Sequence, residues 1–444
     1  MELIKEYMDF LDNGKTERRC VKLAVKAAEE AGYRNINEVK SLRAGDRVYY
    51  VKMDKTIVLF EIGSEPIEKG MNILGAHIDS PRLDVKQNPL YEKDGIVYLN
   101  THYYGGIKKY QWVALPLAIN GVVYLADGKK IDVNVGDEAE DPVFCISDIL
   151  PHIAQSQMAK SAAEFIEGEK LDLILGCAHQ ENKEDEDKEK KVTNKDRILE
   201  ILKDKYGFEE KDFASAELEV VPAGKARYVG FDRSLVLGYG QDDRVCSFTS
   251  LKALLDSKAE GRTVCCILAD KEEIGSTGAT GMDSHLLDNA VAELVARLGC
   301  DNPELTVRRA LASSYMLSSD VNSAYDPLNW ELYDKQNSSF LARGVVFNKY
   351  TGSRGKTAAS DANPEFIAKL RGALDSVGAE YQFAEMAKVD VGGGGTIAKY
   401  CASFGMQVID CGVPVMSMHA PWEMTSVYDI EQAYKAYKAF IKLK

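Results

Sequence analysis

Thr263-Val264-Cys265-Cys266-Ile267-Leu268-Ala269, followed at once by Asp270-Lys271-Glu272-Glu273-Ile274-Gly275-Ser276, decides the reading of this 444-residue chain. A short run of small and apolar side chains bounded by a turn signal is the pattern of a buried strand. Its end in adjacent carboxylates, Gly and Ser places acidic groups at the carboxyl edge of a sheet, where open α/β folds keep their ligands. Neighbouring side chains on extended backbone point to opposite faces, so Glu272 and Glu273 are suited to different tasks: one to hold a metal, the other to move a proton. On this stretch alone a second reading stays open, two solvated carboxylates capping a helix that starts near Ser276.

Outward from this stretch, the same grammar recurs. Toward the amino terminus, a short helix ends near Asn13-Gly14, Thr16 caps a second, and Gly32 stops it. Val48–Val51 and Thr56–Ile62 read as strands, and the run Met71-Asn72-Ile73-Leu74-Gly75-Ala76 delivers His77 to a strand end. Toward the carboxyl terminus, helices are predicted near 244–257, 286–298, 364–377, 396–403 and 430–443. Strands are predicted at Ala312–Ser318 and Gln407–Cys411, the latter leading to His419. This alternation implies a mixed sheet with helices on both faces, an α/β/α layer built from residues 1–85 and 230–444. Residues 86–229 differ in texture, with Tyr and Gly clusters, turns such as Ala126-Asp127-Gly128 and alternating segments, and read as a mainly β inserted domain. Within it Glu181–Lys191 carries six acids and four lysines and no apolar side chain, the composition of a solvated loop.

Bulk properties narrow the function classes. The length exceeds the roughly 250 to 300 residues at which one core stops growing, consistent with an insertion. A composition of 45% hydrophobic and 28% charged residues is that of a soluble globular protein, and no window approaches the ~18 apolar residues of a membrane span. Met1-Glu2-Leu3-Ile4-Lys5 lacks the features of a secretory signal, so a cytoplasmic location is expected. The formal net charge of -14 argues against nucleic-acid or anionic-membrane partners. The nine cysteines form no Cys-x-x-Cys pair, which points away from disulfides and a thiolate zinc site.

Polar residues follow apolar strand runs repeatedly: His77-Ile78-Asp79-Ser80-Pro81, Gln241-Asp242-Asp243, Asp270–Ser276, Ser318-Ser319-Asp320 and Ser417-Met418-His419. Imidazole nitrogen and carboxylate oxygen without thiolate suit Zn2+, Co2+ or Mn2+. Two metals about 3.5 to 4 Å apart, sharing one carboxylate and one water, would use five such ligands. Each piece alone is weak: a histidine such as His102 or His285 is more often a hydrogen-bonded surface or core residue. Repetition at strand ends is what converges them on one edge. Gly392–Thr396 reads either as a backbone-lined wall of a pocket or as a tight turn.

From the helical entry to the last helix, Gly75-Ala76-His77-Ile78-Asp79-Ser80-Pro81, Asp270–Ser276, Ser319-Asp320 and Met418-His419 resemble the motifs of the aspartyl aminopeptidase family, the M18 metallopeptidases. The resemblance implies a metallopeptidase domain carrying two zinc ions per subunit, with Co2+ or Mn2+ as substitutes. It implies His77, Asp242, Glu273, Asp320 and His419 as metal ligands, Asp242 as the bridge, Asp79 orienting the His77 ring, and Glu272 as general base. It also implies a cis peptide after the bridging Asp, here Asp242–Asp243, where Asp243 departs from the family's Asn. His152, in Leu150-Pro151-His152-Ile153, matches a histidine that reaches into a neighbouring subunit's site; a buried histidine packing in the insert is the other reading. The implied assembly is a tetrahedral homododecamer built through the inserted domains, and the implied reaction removes the first residue of a peptide. Members acting on acidic residues use basic pocket groups, whereas this chain has Asn348 where some relatives have Lys, so an acidic preference does not follow and neutral first residues such as Leu stay open. A sister metal-dependent deacylase or carboxypeptidase, or a non-catalytic self-assembling scaffold, are the competing functions.

Overall fold

The computed structural model describes residues 2–179, 192–352 and 355–444, so the charge run Glu181–Lys191 lies outside the described residues. The chain divides into two compact units, one of residues 1–80, 226–418 and 422–444, the other of residues 81–225 with 419–421.

The first unit is organised on a nine-stranded mixed sheet. Its strand order is Arg34–Asn35, Arg47–Lys52, Thr56–Glu61, Thr263–Ala269, Met71–His77, Tyr315–Ser319, Gln407–Gly412, Val345–Asn348 and Tyr381–Phe383. The central four, Thr263–Ala269 to Gln407–Gly412, run parallel, and Thr56–Glu61 and Val345–Asn348 flank them antiparallel. Both faces of the sheet are covered. Alternate residues of one strand enter different cores: Val264, Cys266 and Leu268 join one, Cys265, Ile267 and Ala269 the other. Leu74 and Ala76 likewise part from Met71 and Ile73. The first core is closed by helices Glu2–Asn13, Glu17–Glu30, Gln241–Leu255, Pro364–Ser376 and Val427–Ile441, the second by Leu286–Leu298, Pro303–Ala312 and Ala398–Ala402. A fully buried Leu, Ile or Val contributes about 1.5 to 3 kcal/mol, so strands buried on both faces are the anchor of this unit.

Two local expectations are corrected. The strand expected from Ala312 begins at Tyr315, because Asn302 caps Leu305 N and Pro303 opens a helix that runs to Ala312. No helix starts near Ser276: Glu272–Ile274 form a single 3-10 turn and the next helix begins at Leu286, which removes the helix-cap reading of the Glu pair. A five-stranded sheet of Arg227–Val229, Leu235–Gly238, Glu423–Ser426, Pro414–Met416 and Asn322–Ser323 completes the unit.

The second unit is a six-stranded antiparallel sheet in the order Lys130–Val135, Leu117–Tyr124, Ala216–Pro222, Arg82–Lys93, Ile96–Tyr104 and Leu173–Gly176. Helix Asn194–Tyr206, started by a Thr193/Asp196 capping box, packs on it. Among the described residues no helix is long and apolar enough to cross a membrane.

Candidate metal centre

Three adjacent parallel strands deliver the site. His77 ends the middle strand, level in register with Ala269, the last residue before Asp270. Asp320 follows the strand on the other side, where its backbone N–H donates to Cys411 O at 2.6 Å. A close approach fixes that turn: a Cβ on Gly412 would lie 1.9 Å from Asp320 O, so only glycine fits. Asp242 and Asp243 open helix Gln241–Leu255, and the peptide bond between them is cis, as the resemblance implies.

Around His77 Nε2 stand Asp242 Oδ1 at 3.2 Å, Asp320 Oδ1 at 3.8 Å and Glu272 Oε2 at 4.0 Å. Ligand-capable atoms of His77, Asp242 and Glu273 lie within 4.8 Å of one another, as do those of His77, Glu272 and Asp320. The opposite ring nitrogen, Nδ1, is 3.3 Å from Asp79 Oδ1 and 3.1 Å from Asp79 O. Asp79, wholly buried, also accepts the backbone N–H of Glu272 on Oδ1 at 3.1 Å and that of Glu273 on Oδ2 at 3.2 Å. One carboxylate therefore sets both the His77 ring and the turn that presents the two glutamates.

The electrostatics are those of crowded carboxylates in a dry setting. Burial, and then the nearby Asp320, push the Glu272 carboxyl up to about 8. Burial opposes a charge on His77, but hydrogen bonds to Asp242, Asp320 and Asp79 outweigh it and raise its pKa. Burial, and then Asp320, hold the Asp243 carboxyl well above the usual carboxylate range. Its Oδ2 accepts the His77 backbone N–H at 3.3 Å, a bond an asparagine oxygen would make equally well. Several carboxylates packed around one imidazole is an arrangement that a divalent cation stabilises, and imidazole with carboxylate is a donor set zinc accepts. The residues fit the metal.

His77, Asp79, Asp242, Glu272, Glu273 and Asp320 are thus brought together. His419 is placed with the second unit, its Nδ1 2.8 Å from Gly106 O. His152 is exposed in the turn Pro151–Ile153 of the second unit, so it is not the buried packing residue of the alternative reading. Sequence reasoning missed the polar scaffold beneath: Ser247 Oγ donates to His77 O at 2.6 Å, Ser80 Oγ to Asp242 O at 2.7 Å, and Glu423 Oε2 accepts Asp242 N–H at 3.0 Å. Of these only Ser80 had a signal, its place in the His77 motif. Asp410, a charged residue inside an apolar strand run, was a further signal not taken.

An imidazole ringed by carboxylates at the carboxyl edge of parallel strands defines a metal-dependent hydrolase of the α/β class. The profile of the family described as Aminopeptidase I zinc metalloprotease (M18) matches residues 10–441. The chain belongs to that family, and it is a zinc metalloprotease of the aminopeptidase type. A Clostridium acetobutylicum protein described as a probable M18 family aminopeptidase 1 is 53% identical over 98% of this chain and 93% of its own length. The crystal structure of an M18 aminopeptidase from Thermotoga maritima superposes with a TM-score of 0.94 at 41% identity, covering 99% of this chain and 96% of that one. A structure described as the S. cerevisiae mApe1 dodecamer, at 21% identity and a TM-score of 0.78 over 99% of this chain and 96% of its own, shares the fold.

Proposed function

We propose that the chain is a two-zinc aminopeptidase that removes a neutral first residue from short peptides, with Glu272 as general base. The observation that carries this reading is the double role of Asp79. By holding both backbone N–H groups of the Glu272–Glu273 turn and facing His77 Nδ1, it presents the two glutamates beside the imidazole, where one can hold metal and the other move a proton. His77, Asp242, Glu273 and Asp320 would hold the zinc ions, with His419 as the remaining ligand by family resemblance; Co2+ or Mn2+ would suit the same donors. Bound zinc supplies Lewis acidity and lowers the pKa of water in the site. Glu272 takes the proton of the attacking water on its carboxylate and returns it to the leaving amine. The substrate's free α-amine enters a site rich in carboxylates, which favours an aminopeptidase over a deacylase or carboxypeptidase, since those need a cationic clamp.

Preference for a neutral first residue is inferred from Asn348. Where some relatives carry Lys, its amide is closed into a neutral network, accepting from Asn322 Nδ2 at 3.0 Å and donating to Ala384 O at 2.8 Å. Such a network offers no charge to an acidic side chain. We also infer self-association through the second unit, in which Ile149, Leu150, Ile153 and Met158 are exposed around His152. The mApe1 relative is described as a dodecamer, which supports a twelve-subunit assembly. By the family resemblance, His152 would serve a neighbouring site there and stabilise the developing oxyanion. A cytoplasmic location goes with this reading.

Zinc content and hydrolysis of Leu-, Asp- and Glu-arylamides, before and after chelation, test it. Two zinc ions per chain and a Leu rate above the acidic rates are expected. Glu272→Gln should lower kcat by about 10² to 10⁴ with zinc retained, the range of general acid–base catalysis. Retained turnover in Glu272→Gln would remove Glu272 as the base.

A further inference from the structure

On the sheet edge that carries the metal cluster, one buried carboxyl group has no part in the chemistry above. Asp410, 3% exposed, lies in Gln407–Gly412 and is paired in register with Ser318 on one side and Asn348 on the other. Its Oδ1 accepts a short hydrogen bond from Thr396 Oγ1, which stands 3.4 Å from Ser318 Oγ. Its Oδ2 is buried with no hydrogen-bond partner among the described residues. A carboxyl group so desolvated is costly to keep, and what it holds is the end of Gly392-Gly393-Gly394-Gly395-Thr396.

The same segment is tied a second time. Helix Ala398–Ala402 begins two residues after Thr396, and Tyr400 Oη donates to Gly275 O at 2.8 Å. Gly275 closes the Glu272–Ile274 turn. The residues that follow the glycine run are therefore tied to the strand layer and to the turn that bears Glu272, and the run itself is held at Gly394, whose N–H donates to Thr351 O at 3.2 Å.

At three of the four positions of the run the fold does not require glycine. Gly392, Gly394 and Gly395 do not lie in the left-handed region. A Cβ would meet its nearest neighbour at an ordinary 3.6 Å at Gly392 and 3.5 Å at Gly394, and would meet nothing within 4 Å at Gly395. Glycine makes the unfolded chain more variable and the fold less stable, so its retention where a side chain fits calls for a visitor that approaches the backbone closely.

We propose that Asp410 is a positioning residue for substrate binding: through Thr396 it fixes Gly392–Gly395 as a bare main-chain wall against which the peptide backbone lies. The inference rests on the peptidase reading of the adjoining site. Steady-state kinetics on whichever of Leu-Gly-Gly and Asp-Gly-Gly the unaltered enzyme cleaves faster separate the two: a wrong specificity changes the choice of peptide, not the comparison among variants. Asp410→Ala and Thr396→Val should raise KM about 10-fold or more with kcat within about 3-fold, the mark of lost ground-state binding. Asp410→Asn and Thr396→Ser, which keep the acceptor and the hydroxyl, should restore KM to within about 3-fold of the unaltered enzyme. Gly395→Ala should leave Tm unchanged or slightly raised and still raise KM. An unaltered KM in Gly395→Ala, or a fall of Tm and kcat at constant KM in Asp410→Ala, would overturn the proposal.

Discussion

Asp79 is the residue on which the site turns. It faces one ring nitrogen of His77 and accepts two successive backbone N–H groups, so each of its oxygens meets a donor. Asparagine has the same shape but presents an NH2 where one of those donors already points, and the clash is buried. Asp79→Asn is therefore expected to weaken zinc binding and kcat/KM together, each by about 10- to 100-fold, the usual effect of losing the group that orients a metal-bound histidine. Competition with a chromophoric chelator measures the first and arylamide hydrolysis the second. A loss of activity at unchanged zinc affinity would confine Asp79 to the glutamate turn.

At the scale of elements, the strand ends fix the ligands and the turns after them set their direction. Gly412 shows how little slack there is, since a Cβ there would sit 1.9 Å from the carbonyl of Asp320. Gly412→Ala should lower stability by about 1 to 3 kcal/mol, as overpacking does, and should cut kcat/KM more than stability loss explains, because the atom displaced belongs to a ligand-bearing turn. Thermal unfolding and kinetics on the zinc-loaded enzyme check the pair. The strands Met71–His77 and Thr263–Ala269 were legible because burial on both faces leaves an unbroken apolar run, and His77 and the Glu pair were legible because polarity resumes abruptly at the strand end. Helix Pro303–Ala312 was hidden by Ala310, Leu311 and Ala312, whose apolar character blended into the strand after it. The five-stranded sheet was illegible for another reason: its pairings, such as Leu235–Gly238 with Glu423–Ser426, join segments nearly 190 residues apart that carry no local turn signal. Ser247 and Glu423 were silent likewise, as their partners are backbone groups brought near only by the fold.

For the whole molecule, the roles proposed for the second unit can be tested without disrupting a single site. If His152 serves a neighbour, His152→Ala subunits keep their own Glu272 but lack an incoming histidine, and Glu272→Gln subunits can donate one. Each alone should be nearly inactive, while co-expression in one assembly should recover a sizeable fraction of activity. Inactive mixed assemblies, with the mixed composition verified by mass spectrometry, would rule out service of His152 to a neighbouring subunit. Ile153→Asp, on the exposed apolar patch beside it, should lower the sedimenting mass and lose activity in proportion.

The alternation of the central strands between two cores also says how such a chain can change over generations. Within Met71–Ala76 any one apolar side chain can be exchanged for another of similar bulk, since its neighbour in sequence belongs to a different core and is not disturbed. An insertion or deletion of one residue there would shift the frame, sending every side chain of the strand into the wrong core and pointing His77 away from its partners. Lineages of this enzyme should therefore be free in spelling but fixed in length along the central strands, with differences in length confined to the connections between them.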